Sequence, residues 1–185
     1  MIKLMPYVDH METGLITYSL MWSHMAIFVS AGCRCIPFRY RDSDVSGNSN
    51  SEKIVEVLMI NSTSGPGLLF PKGGWENDET VQEAAVREAI EEAGVRGELM
   101  DFLGYYPFKS KTHQDEFCPE GSCKAAMFAL LVKEELESWP EQSTRNRTWL
   151  TVPQALDRCR HPWMRDALEN GFSKWHAGKD ISEHH

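Results

Sequence analysis

Residues 73–95 read GGWENDETVQEAAVREAIEEAGV, and three carboxylates near the end of this stretch, Glu88, Glu91 and Glu92, have helical spacing. Positions i, i+3 and i+4 of an α-helix lie about one turn apart on one face, where like charges repel unless a cation lies against them. Carboxylate oxygens are ligands that suit a hard divalent ion. The stretch therefore predicts a helix that offers a site for Mg²⁺ or Mn²⁺.

The predicted helix begins near Asp78 and ends at Gly94. The Asp78 side chain can cap the amides of the first turn, and Gly94 suits the left-handed conformation that commonly follows a helix. Small and aliphatic side chains form an apolar face beside the acidic one: Ala85, Val86, Ala89, Ile90 and Ala93. We therefore expect the helix to pack on a sheet and to hold its carboxylates at an open edge.

A longer pattern runs through the same stretch, with fixed spacing between Gly73, Glu79, Arg87-Glu88-Ala89, Glu91-Glu92 and Gly94-Val95. An acidic helix face alone is usually a solvated surface, but this pattern resembles the signature of the Nudix hydrolases, which cleave diphosphates linked to a further group. Ala89 stands where that family usually has a bulkier aliphatic residue. The resemblance implies an α/β/α sandwich with a mixed central sheet and a divalent metal ion as cofactor.

The resemblance also assigns roles to individual residues. Glu88 and Glu92 would be metal ligands, and Glu91 would be a ligand or the general base. The carbonyl oxygen of Gly73 would be a further ligand. Glu141 is a second candidate for the base, although an exposed loop acid is the commoner interpretation of such a residue.

Three further segments narrow the substrate class: PKGGWE at 71–76, KEELESWPEQ at 133–142 and RNRTWL at 145–150. They resemble the diphosphoinositol polyphosphate phosphohydrolase branch of the family, most closely its plant members. With the signature, the resemblance runs from about Gly32 to Trp175. That branch removes the terminal phosphate from inositol pyrophosphates and cuts diadenosine polyphosphates, so the implied partner is a polyanionic small molecule.

Such substrates need cations, and backbone that can approach phosphates closely. The candidates for substrate binding are Lys72, Gly73, Gly74, Arg39, Lys109, Lys111, Lys124, Arg145 and Arg147, with Arg41 beside them. In the branch, basic residues just before the first core strand hold phosphates, whereas residues 25–32 read MAIFVSAG here and carry no cation. Arg34, in the insertion-like Cys33-Arg34-Cys35, could compensate.

Composition argues against some other classes of protein. The 185-residue chain has a net charge of −8, which argues against nucleic-acid binding because that activity needs a basic face. Its five cysteines are an odd number in a chain that is not short, so we expect reduced thiols and a cytoplasmic or nuclear protein. The sequence has no run of about 18 apolar residues, so it predicts no membrane-spanning helix. One domain is expected at this length, and we expect a monomer.

The order of the predicted elements gives α/β/α layers. Strands are expected at 26–41, 54–60, 68–70, 98–108, 125–132 and 148–151, and further helices from Pro153 and from Pro162 to about His176. Polar loops are expected at 42–53 and 109–124, and an acidic loop at 133–142. Residues 1–25 are interpreted as a variable N-terminal arm, 26–177 as the Nudix hydrolase domain and 178–185 as a disordered tail.

Two other interpretations stay open. A nucleotide-sugar, dinucleotide or nucleoside triphosphate pyrophosphatase would need an aromatic clamp for a base, although core packing is the commoner use of aromatic residues. The candidates for that clamp are Trp75, Tyr105, Tyr106 and Phe108. A binding protein on a catalytically weak Nudix fold is the other interpretation, and the intact Glu88, Glu91 and Glu92 argue against it.

Overall fold

The computed structural model describes residues 32–42, 53–74, 76, 78–109 and 122–182. Some predictions lie outside these residues: the arm at 1–25, strand residues 26–31, most of the polar loops at 42–53 and 109–124, Trp75 and Lys111. The fold and the site are therefore built below from the described residues alone.

Within these residues seven strands form one sheet: β1 (Cys33–Asp42), β2 (Lys53–Asn61), β3 (Leu68–Leu69), β4 (Lys72–Gly73), β5 (Val95–Lys109), β6 (Ser122–Glu135) and β7 (Arg147–Thr151). The helices are α1 (Val81–Ala93), α2 (Val152–Arg158), α3 (Pro162–Asp166) and α4 (Ser173–Ser182), with a π-helical segment (Ala167–Phe172) between α3 and α4. The predicted elements are present where the chain is described, with different ends.

Strand β1 lies at the centre of the sheet, whose order is β3-β2-β1-β6-β5, with β4 paired to β1 and β7 paired to β2. The β1–β6 pair is parallel and the other pairs are antiparallel, so the sheet is mixed as predicted. Adjacent strand residues point to opposite faces. The Cys35 thiol contacts the Ala85 carbonyl oxygen of α1 at 3.6 Å, whereas Arg34 packs on Trp163 of α3. Helices thus cover both faces, which confirms the α/β/α layers.

Helix α1 begins at Val81 because Thr80 caps it, and not Asp78 as predicted. The Thr80 hydroxyl accepts a hydrogen bond from the Glu83 amide at 3.2 Å, and the Glu83 carboxylate accepts one from the Thr80 amide at 2.7 Å. This reciprocal pair satisfies amides that otherwise lack a partner at a helix start. At the other end Gly94 has φ 61° and ψ 40°, the left-handed conformation predicted for it.

The buried face of α1 differs from the predicted one. Its buried alanines are Ala84, Ala85, Ala89 and Ala93, and the buried Glu88 and Glu92 lie between them. Val86 and Ile90, predicted for the apolar face, are only partly buried. Because the alanines are small, the helix backbone approaches the sheet closely and the two carboxylates are withdrawn from solvent.

Strand pairing extends β5 and β6 beyond their predicted ends. Strand β5 begins at Val95, directly after the helix, and Val95 lies opposite Glu135 of β6. Residues 133–135, predicted as part of the acidic loop, are therefore strand. The pairing supplies partners for backbone groups that the sequence pattern alone did not assign to a sheet.

At the C-terminal end α4 runs to Ser182, so residues 178–182 of the predicted tail are helical. Lys179 forms an ion pair with Asp101 of β5 at 3.0 Å, which fastens this helix to the sheet. No described helix is long and apolar enough to cross a membrane. The described cysteines, Cys33, Cys35, Cys123 and Cys159, carry free thiols.

The hydrophobic core lies on both faces of the central strands. Its largest fully buried side chains include Phe38, Leu58, Phe70, Met127, Leu130 and Phe172. They come from β1, β2, β6, the segment before β4 and the π-helical segment, so the core ties α1 and the C-terminal helices to the same sheet.

Candidate active site

Arg87 of α1 lies at the centre of the carboxylate cluster. Its Nε and Nη2 donate to the two carboxylate oxygens of Glu79 at 3.0 and 2.7 Å. Nη2 also donates to the Gly74 carbonyl oxygen at 2.8 Å, and Nη1 donates to Glu88 at 2.7 Å and to Glu91 at 3.0 Å. A guanidinium has five N–H groups, and Arg87 donates five hydrogen bonds within the protein. Arg87 braces three carboxylates and has no donor left for a substrate.

Glu79 ties the loop before α1 to Arg87. Its Oε1 accepts a hydrogen bond from the Glu76 amide at 2.9 Å. The hydrogen bonds from Arg87 hold the pKa of the Glu79 carboxyl below its ordinary value. The ionised Glu79 gives Arg87 a bidentate partner, the strongest geometry for such a pair, and so fixes the loop on the helix.

Glu88 is buried against the backbone of Gly73. A Cβ atom on Gly73 would lie 1.7 Å from Glu88 Oε1, so only glycine leaves room for this carboxylate. Burial raises the pKa of Glu88 above its ordinary value, and the Arg87 guanidinium opposes that rise. The carboxylate therefore sits in a cradle formed by a backbone segment and one cation.

Glu92 lies one helical turn further on and is only 3% exposed. Its Oε2 accepts a hydrogen bond from the Lys72 amide at 2.8 Å, and its Oε1 accepts one from Arg145 Nη2 at 2.5 Å. The Lys72 ammonium nitrogen is 3.9 Å from the same Oε1. Burial raises the pKa of Glu92, and the charges of Lys72 and Arg145 limit the rise. Glu88 and Glu92 thus flank the Lys72–Gly73 backbone.

The two candidate general bases lie at one edge of this cluster. The side chains of Glu91 and Glu141 are 40% and 42% exposed. The Glu141 amide donates to the Glu91 carbonyl oxygen at 3.1 Å, which docks the loop of Glu141 on the end of α1. Both carboxylates can therefore be reached from solvent beside the buried pair.

Arg145 holds Glu92 and Glu141 and was predicted to bind substrate. Its Nε donates to Glu141 at 3.1 Å, its Nη1 to the Asn61 carbonyl oxygen at 3.1 Å and its Nη2 to Glu92. The side chain is buried. These contacts give Arg145 a positioning role like that of Arg87.

Other predicted substrate-binding arginines lie apart from the cluster. Arg147 Nη1 donates to the Gly94 carbonyl oxygen at 2.9 Å, at the C-terminal end of α1, and its guanidinium packs on Trp139. Arg39 is paired with Glu56 and Glu135 and lies over the Trp149 ring, and Arg41 is also paired with Glu56. The structure therefore does not bring these three arginines to the carboxylate cluster on α1.

The remaining candidates divide into two groups. The structure brings together Lys72, Gly73, Gly74, Glu88, Glu91, Glu92, Glu141 and Arg145. Lys109 and Lys124 lie exposed near the paired ends of β5 and β6, and Lys111 lies outside the described residues. Arg160 and His161, which the sequence pattern did not single out, lie just before α3, where burial lowers the pKa of His161 and the charges of Arg160, Arg34 and Lys72 lower it further.

The candidate aromatic clamp is not assembled from the described residues. Tyr106 is buried and donates to the Leu103 carbonyl oxygen, whereas Tyr105 is exposed and packs on Phe102. Phe108 lies against Arg34. An apolar groove of about 600 Å³ instead runs beside Arg87 and Glu91, lined by Val86, Ile90, Leu99 and Pro140.

The cluster supplies oxygen donors that suit a hard divalent ion. As the described side chains stand, no three His, Cys, Asp or Glu residues form a metal-binding group, and Arg87 and Arg145 contact the carboxylates instead. Two buried carboxylates, Glu88 and Glu92, nevertheless flank the Gly73 backbone, whose cradle a Cβ would fill. The donor chemistry therefore fits Mg²⁺ or Mn²⁺.

Sequence comparisons agree with this geometry. The model of a family described as NUDIX domain matches residues 48–171. Nudix hydrolase 16, mitochondrial, from Arabidopsis thaliana is 71% identical over 147 residues, which cover 80% of this chain and 82% of that protein. Diphosphoinositol polyphosphate phosphohydrolase 3-alpha from Mus musculus is 32% identical over 149 residues, which cover 74% of this chain and 85% of that protein.

Solved structures agree on the fold. An Ap4A hydrolase from C. elegans has a TM-score of 0.53 at 20% identity, and the match covers 80% of this chain and 98% of that one. A mutT/nudix family protein from Listeria innocua has a TM-score of 0.57 at 17% identity, with 82% and 96% covered. At such identities the likeness shows the fold alone, and it confirms the Nudix-type α/β fold.

The prediction of a cytoplasmic or nuclear location is wrong. Three relatives from Arabidopsis thaliana, Nudix hydrolases 16, 12 and 13, are named as mitochondrial and are 71%, 52% and 54% identical to this chain. The prediction was drawn from the cysteines. Reduced thiols indicate a reducing environment but do not distinguish one such compartment from another.

Proposed function

We propose that this chain, which belongs to the Nudix hydrolase family and is a hydrolase of diphosphate linkages, acts on diphosphoinositol polyphosphates and, as a second class, on diadenosine polyphosphates. The observation that carries the proposal is the buried pair Glu88 and Glu92, held by arginines on either side of the Gly73 backbone. Buried carboxylates with raised pKa values are costly for stability, and such groups concentrate where catalysis uses them.

Glu88, Glu92 and the Gly73 carbonyl oxygen are the proposed metal ligands, with Glu91 as a further ligand or the base. A divalent ion bound there supplies charge neutralisation on the phosphates and activation of water. Arg87 and Arg145 keep the carboxylate oxygens in place through the hydrogen bonds described above. Mg²⁺ or Mn²⁺ fits this set of oxygens.

The exposed carboxylates and the Lys72 side chain act on water and phosphate. Glu91 or Glu141 accepts the proton of the attacking water, since both lie at the solvent edge beside the buried pair. The Lys72 ammonium, 3.9 Å from Glu92, contacts a phosphate oxygen. Gly73 and Gly74 let the backbone approach the same phosphates.

The substrate class is supported by the mouse relative, whose name states that it acts on diphosphoinositol polyphosphates. Exposed lysines at the ends of β5 and β6, Lys109 and Lys124, and Lys111 between them along the chain, are proposed to contact the outer phosphates. They provide local positive charge in a chain whose net charge is −8. Local positive charges of this kind attract a polyanion even though the net charge of the whole chain is negative.

Phosphate release tests the proposal. The full chain is incubated at matched concentrations with an inositol pyrophosphate, a diadenosine polyphosphate and ADP-ribose, each with Mg²⁺ or with EDTA. We expect metal-dependent turnover led by the inositol pyrophosphate. Faster hydrolysis of ADP-ribose would keep the diphosphatase chemistry and refute the substrate class, and turnover that persists in EDTA would refute the metal.

The apolar groove beside Glu91 favours the second substrate class. Its lining by Val86, Ile90, Leu99 and Pro140 can hold a purine ring next to the catalytic edge. Diadenosine polyphosphates carry such rings and inositol pyrophosphates do not. Adenosine added to both assays should therefore inhibit hydrolysis of the diadenosine substrate alone, and equal inhibition of both would refute this use of the groove.

The location of the relatives is extended to this chain, so we propose that it acts in mitochondria. A fluorescent protein fused to the C-terminal end should coincide with a mitochondrial marker in plant cells. Diffuse fluorescence outside that marker would refute the location without affecting the assigned chemistry.

A further inference from the structure

The loop between β6 and β7, residues 136–146, carries Glu141 and is fixed at both of its ends. At its start the Leu136 amide donates to the carbonyl oxygen of the residue that follows α1, at 2.8 Å. At its end the Asn146 amide donates to the side-chain oxygen of Asn61 on β2, at 2.6 Å. Glu141 lies between these two attachments, so its position depends on what holds the middle of the loop.

Trp139, two residues before Glu141, anchors the middle of the loop on the end of α1. Its ring packs directly on the Gly94 backbone, since a Cβ atom on Gly94 would lie 2.5 Å from Trp139 Cδ2 and 2.7 Å from Cγ. Gly94 also has the left-handed conformation that ends the helix. The same glycine therefore ends α1 and leaves room for the tryptophan ring.

Arg147 of β7 holds the ring in place. Its guanidinium carbon lies 4.5 Å from the ring centre of Trp139, within the range of a cation–π contact. Its Nη1 donates to the Gly94 carbonyl oxygen at 2.9 Å, where a cation also complements the helix dipole. Its Nε is 3.5 Å from Glu135 Oε2, on the last residue of β6. One cation thus joins the ring, the helix end and the strand that leads into the loop.

Hydrogen bonding does not explain why a tryptophan occupies this position. The Trp139 Nε1 atom is buried and has no acceptor among the described residues. An unpaired buried N–H group destabilises a fold. The ring is therefore present for its contacts with Gly94 and Arg147, and these contacts fix the loop.

Glu141 is held firmly where the loop meets the carboxylate cluster. Its amide donates to the Glu91 carbonyl oxygen at 3.1 Å, and its own carbonyl oxygen accepts from the amides of Thr144 and Arg145, each at 2.9 Å. Its carboxylate accepts from Arg145 Nε at 3.1 Å, and the same guanidinium binds Glu92. Glu141 is thus joined through one arginine to a proposed metal ligand while 42% of its side chain is exposed.

Glu91, the other carboxylate at the solvent edge, is held differently. It accepts a hydrogen bond from Arg87 Nη1 at 3.0 Å, and the same nitrogen donates to Glu88 at 2.7 Å. Arg87 therefore groups Glu91 with the proposed metal ligands of α1. Glu141 approaches the cluster from a separate loop, which leaves it as the carboxylate for proton transfer.

We propose that Trp139 is a positioning residue for hydrolysis: with Arg147 it holds Glu141 at the end of α1, where Glu141 takes the proton of the attacking water. The inference rests on the proposed function and selects Glu141 from the two carboxylates at the solvent edge. The water oxygen forms a bond to phosphorus and its proton passes to Glu141. The bond from phosphorus to the leaving phosphate oxygen breaks, and its electron pair stays on the leaving group. Trp139 acts through the loop and not by contact with the reacting atoms.

A double-mutant cycle tests this role, with kcat for an inositol pyrophosphate at saturating Mg²⁺ as the readout. Glu141→Gln should lower kcat by about 100-fold or more, the usual scale for loss of a general base. Trp139→Ala should lower kcat by about 10-fold or more with KM little changed, because a small displacement of a catalytic group is costly. Added to Glu141→Gln, it should have no further effect. A merely structural role would make the two losses multiply.

Two further variants support the cycle. Trp139→Phe keeps a ring on Gly94 and removes the unpaired N–H group, so it should retain most of the wild-type kcat. Arg147→Met leaves the ring in place without its cation, and it replaces Trp139→Ala in the cycle if that variant does not fold. It should lower kcat in the wild type and not in Glu141→Gln.

Trp175→Ala is the matched control. Trp175 also lies under a cation, with Lys179 Nζ 5.3 Å from its ring centre, and it packs on Phe38. Phe38 and Cys35 are an odd number of residues apart on β1, so this tryptophan lies on the face of the sheet opposite α1. Trp175→Ala should keep the wild-type kcat. A loss equal to that of Trp139→Ala would show a general effect of removing a tryptophan and would refute the positioning role.

Hydrogen exchange gives a readout that does not depend on turnover. The Glu141 amide should exchange faster by about 10-fold or more in Trp139→Ala, because local opening of the loop exposes it, and should be unchanged in Trp175→Ala. If the wild type cleaves neither proposed substrate but Trp139→Ala speeds this exchange, the proposed function fails and the positioning of Glu141 stands.

The opposite outcome is also distinct. If the wild type cleaves the inositol pyrophosphate but Trp139→Ala keeps its kcat, the proposed function stands and the role of Trp139 is refuted. Near-normal turnover of Glu141→Gln, losses that multiply in the double variant, or unchanged exchange of the Glu141 amide would refute it as well.

Discussion

Two arginines organise the carboxylates of the site at the residue scale. Arg87 binds Glu79, Glu88 and Glu91, and Arg145 binds Glu92 and Glu141. Acids at i, i+3 and i+4 repel one another, and a bidentate, always charged guanidinium offsets that repulsion while fixing the oxygens in space. The geometry of the carboxylate cluster is therefore a property of the arginine–carboxylate network and not of the helix alone.

Glu92→Gln should lower kcat at least about 100-fold, because it removes a ligand of the proposed metal and leaves Arg145 without its buried anion. Steady-state hydrolysis of an inositol pyrophosphate with saturating Mg²⁺ measures the effect. Glu98→Gln on β5 is the control, since Glu98 is exposed and is paired with Lys133, outside the carboxylate cluster. Near-normal turnover of Glu92→Gln would remove Glu92 from the site.

Gly73→Ala should destabilise the fold by about 1–3 kcal/mol, the usual range for forcing atoms into a packed site. The added Cβ would lie 1.7 Å from Glu88 Oε1. Gly74→Ala is a neighbouring control, because a Cβ on Gly74 meets nothing within 4 Å. Urea unfolding measures the free energy of unfolding of both variants. Equal values for the two would show that Gly73 is not needed to make room for Glu88.

Glu88→Gln should make the protein more stable than the wild type at neutral pH in EDTA while lowering activity. Burial raises the pKa of Glu88 above its ordinary value of 4.5, so the wild type loses stability as pH rises from 4.5 through the raised value. Below pH 4.5 the carboxyl is protonated in both states and the two proteins should be equally stable.

Glu83→Gln gives the opposite sign and serves as the control for this pH profile. Hydrogen bonds from Thr80 lower the pKa of Glu83, so its contribution is present above 4.5 and is lost as pH falls through the lowered value. Thermal unfolding between about pH 3.5 and about pH 8 would measure both profiles, because this range includes the ordinary carboxyl pKa. Parallel profiles for the two variants would contradict the burial of Glu88.

At the element scale, α1 is positioned by its caps and its alanines. The Thr80–Glu83 capping box begins the helix, Gly94 ends it, and Ala84, Ala85 and Ala89 let it lie close to the sheet. Ala89, which stands where the family usually has a bulkier residue, is fully buried. Close packing at this position brings Glu88 and Glu92 below the solvent-exposed surface.

Thr80→Ala should destabilise the protein by about 1 kcal/mol, the usual effect of removing a helix cap. The variant loses the hydroxyl that accepts from the Glu83 amide. Asp78→Ala is the control, because the cap at this helix start is Thr80. Guanidinium unfolding should leave Asp78→Ala unchanged, and a larger loss there would show that Asp78 is the functional cap.

At the scale of the whole molecule, β1 joins the parts of the fold. It pairs with β2, β4 and β6, carries Arg34, and packs Phe38 against Phe172 and Trp175 of the C-terminal segment. The family match at 48–171 begins after this strand and ends before α4. The boundaries 26–177 proposed for the domain include β1 and only the first part of α4.

A protein of residues 26–185 should unfold cooperatively and keep its activity, whereas residues 48–171 alone should not fold. The shorter protein lacks the central strand, so β2, β4 and β6 lose a partner and their backbone groups stay unpaired. Circular dichroism and thermal unfolding of both would test this. A cooperative transition in the 48–171 protein would show that β1 is dispensable.

Local patterns allowed much of the fold to be predicted. The helix of the signature, the left-handed Gly94 and most strand positions follow from spacing within a single element. The helix start was misplaced because Asp78 and Thr80 are both good caps in sequence, and only the reciprocal bond with Glu83 distinguishes them. The ends of β5 and β6 depend on pairing with each other, which no local pattern contains.

The amino-acid sequence by itself determined that the chain is a Nudix-type hydrolase, because spacing within one helix requires only a few adjacent residues to be correct. Only the tertiary structure decided which cations serve that helix. Arg145 reaches Glu92 from the loop before β7, 53 residues away in sequence, Arg147 caps the helix end, and Arg39 pairs with Glu56 instead. Long-range register sets these contacts, since a shift of one residue along a strand moves every side chain to the other face.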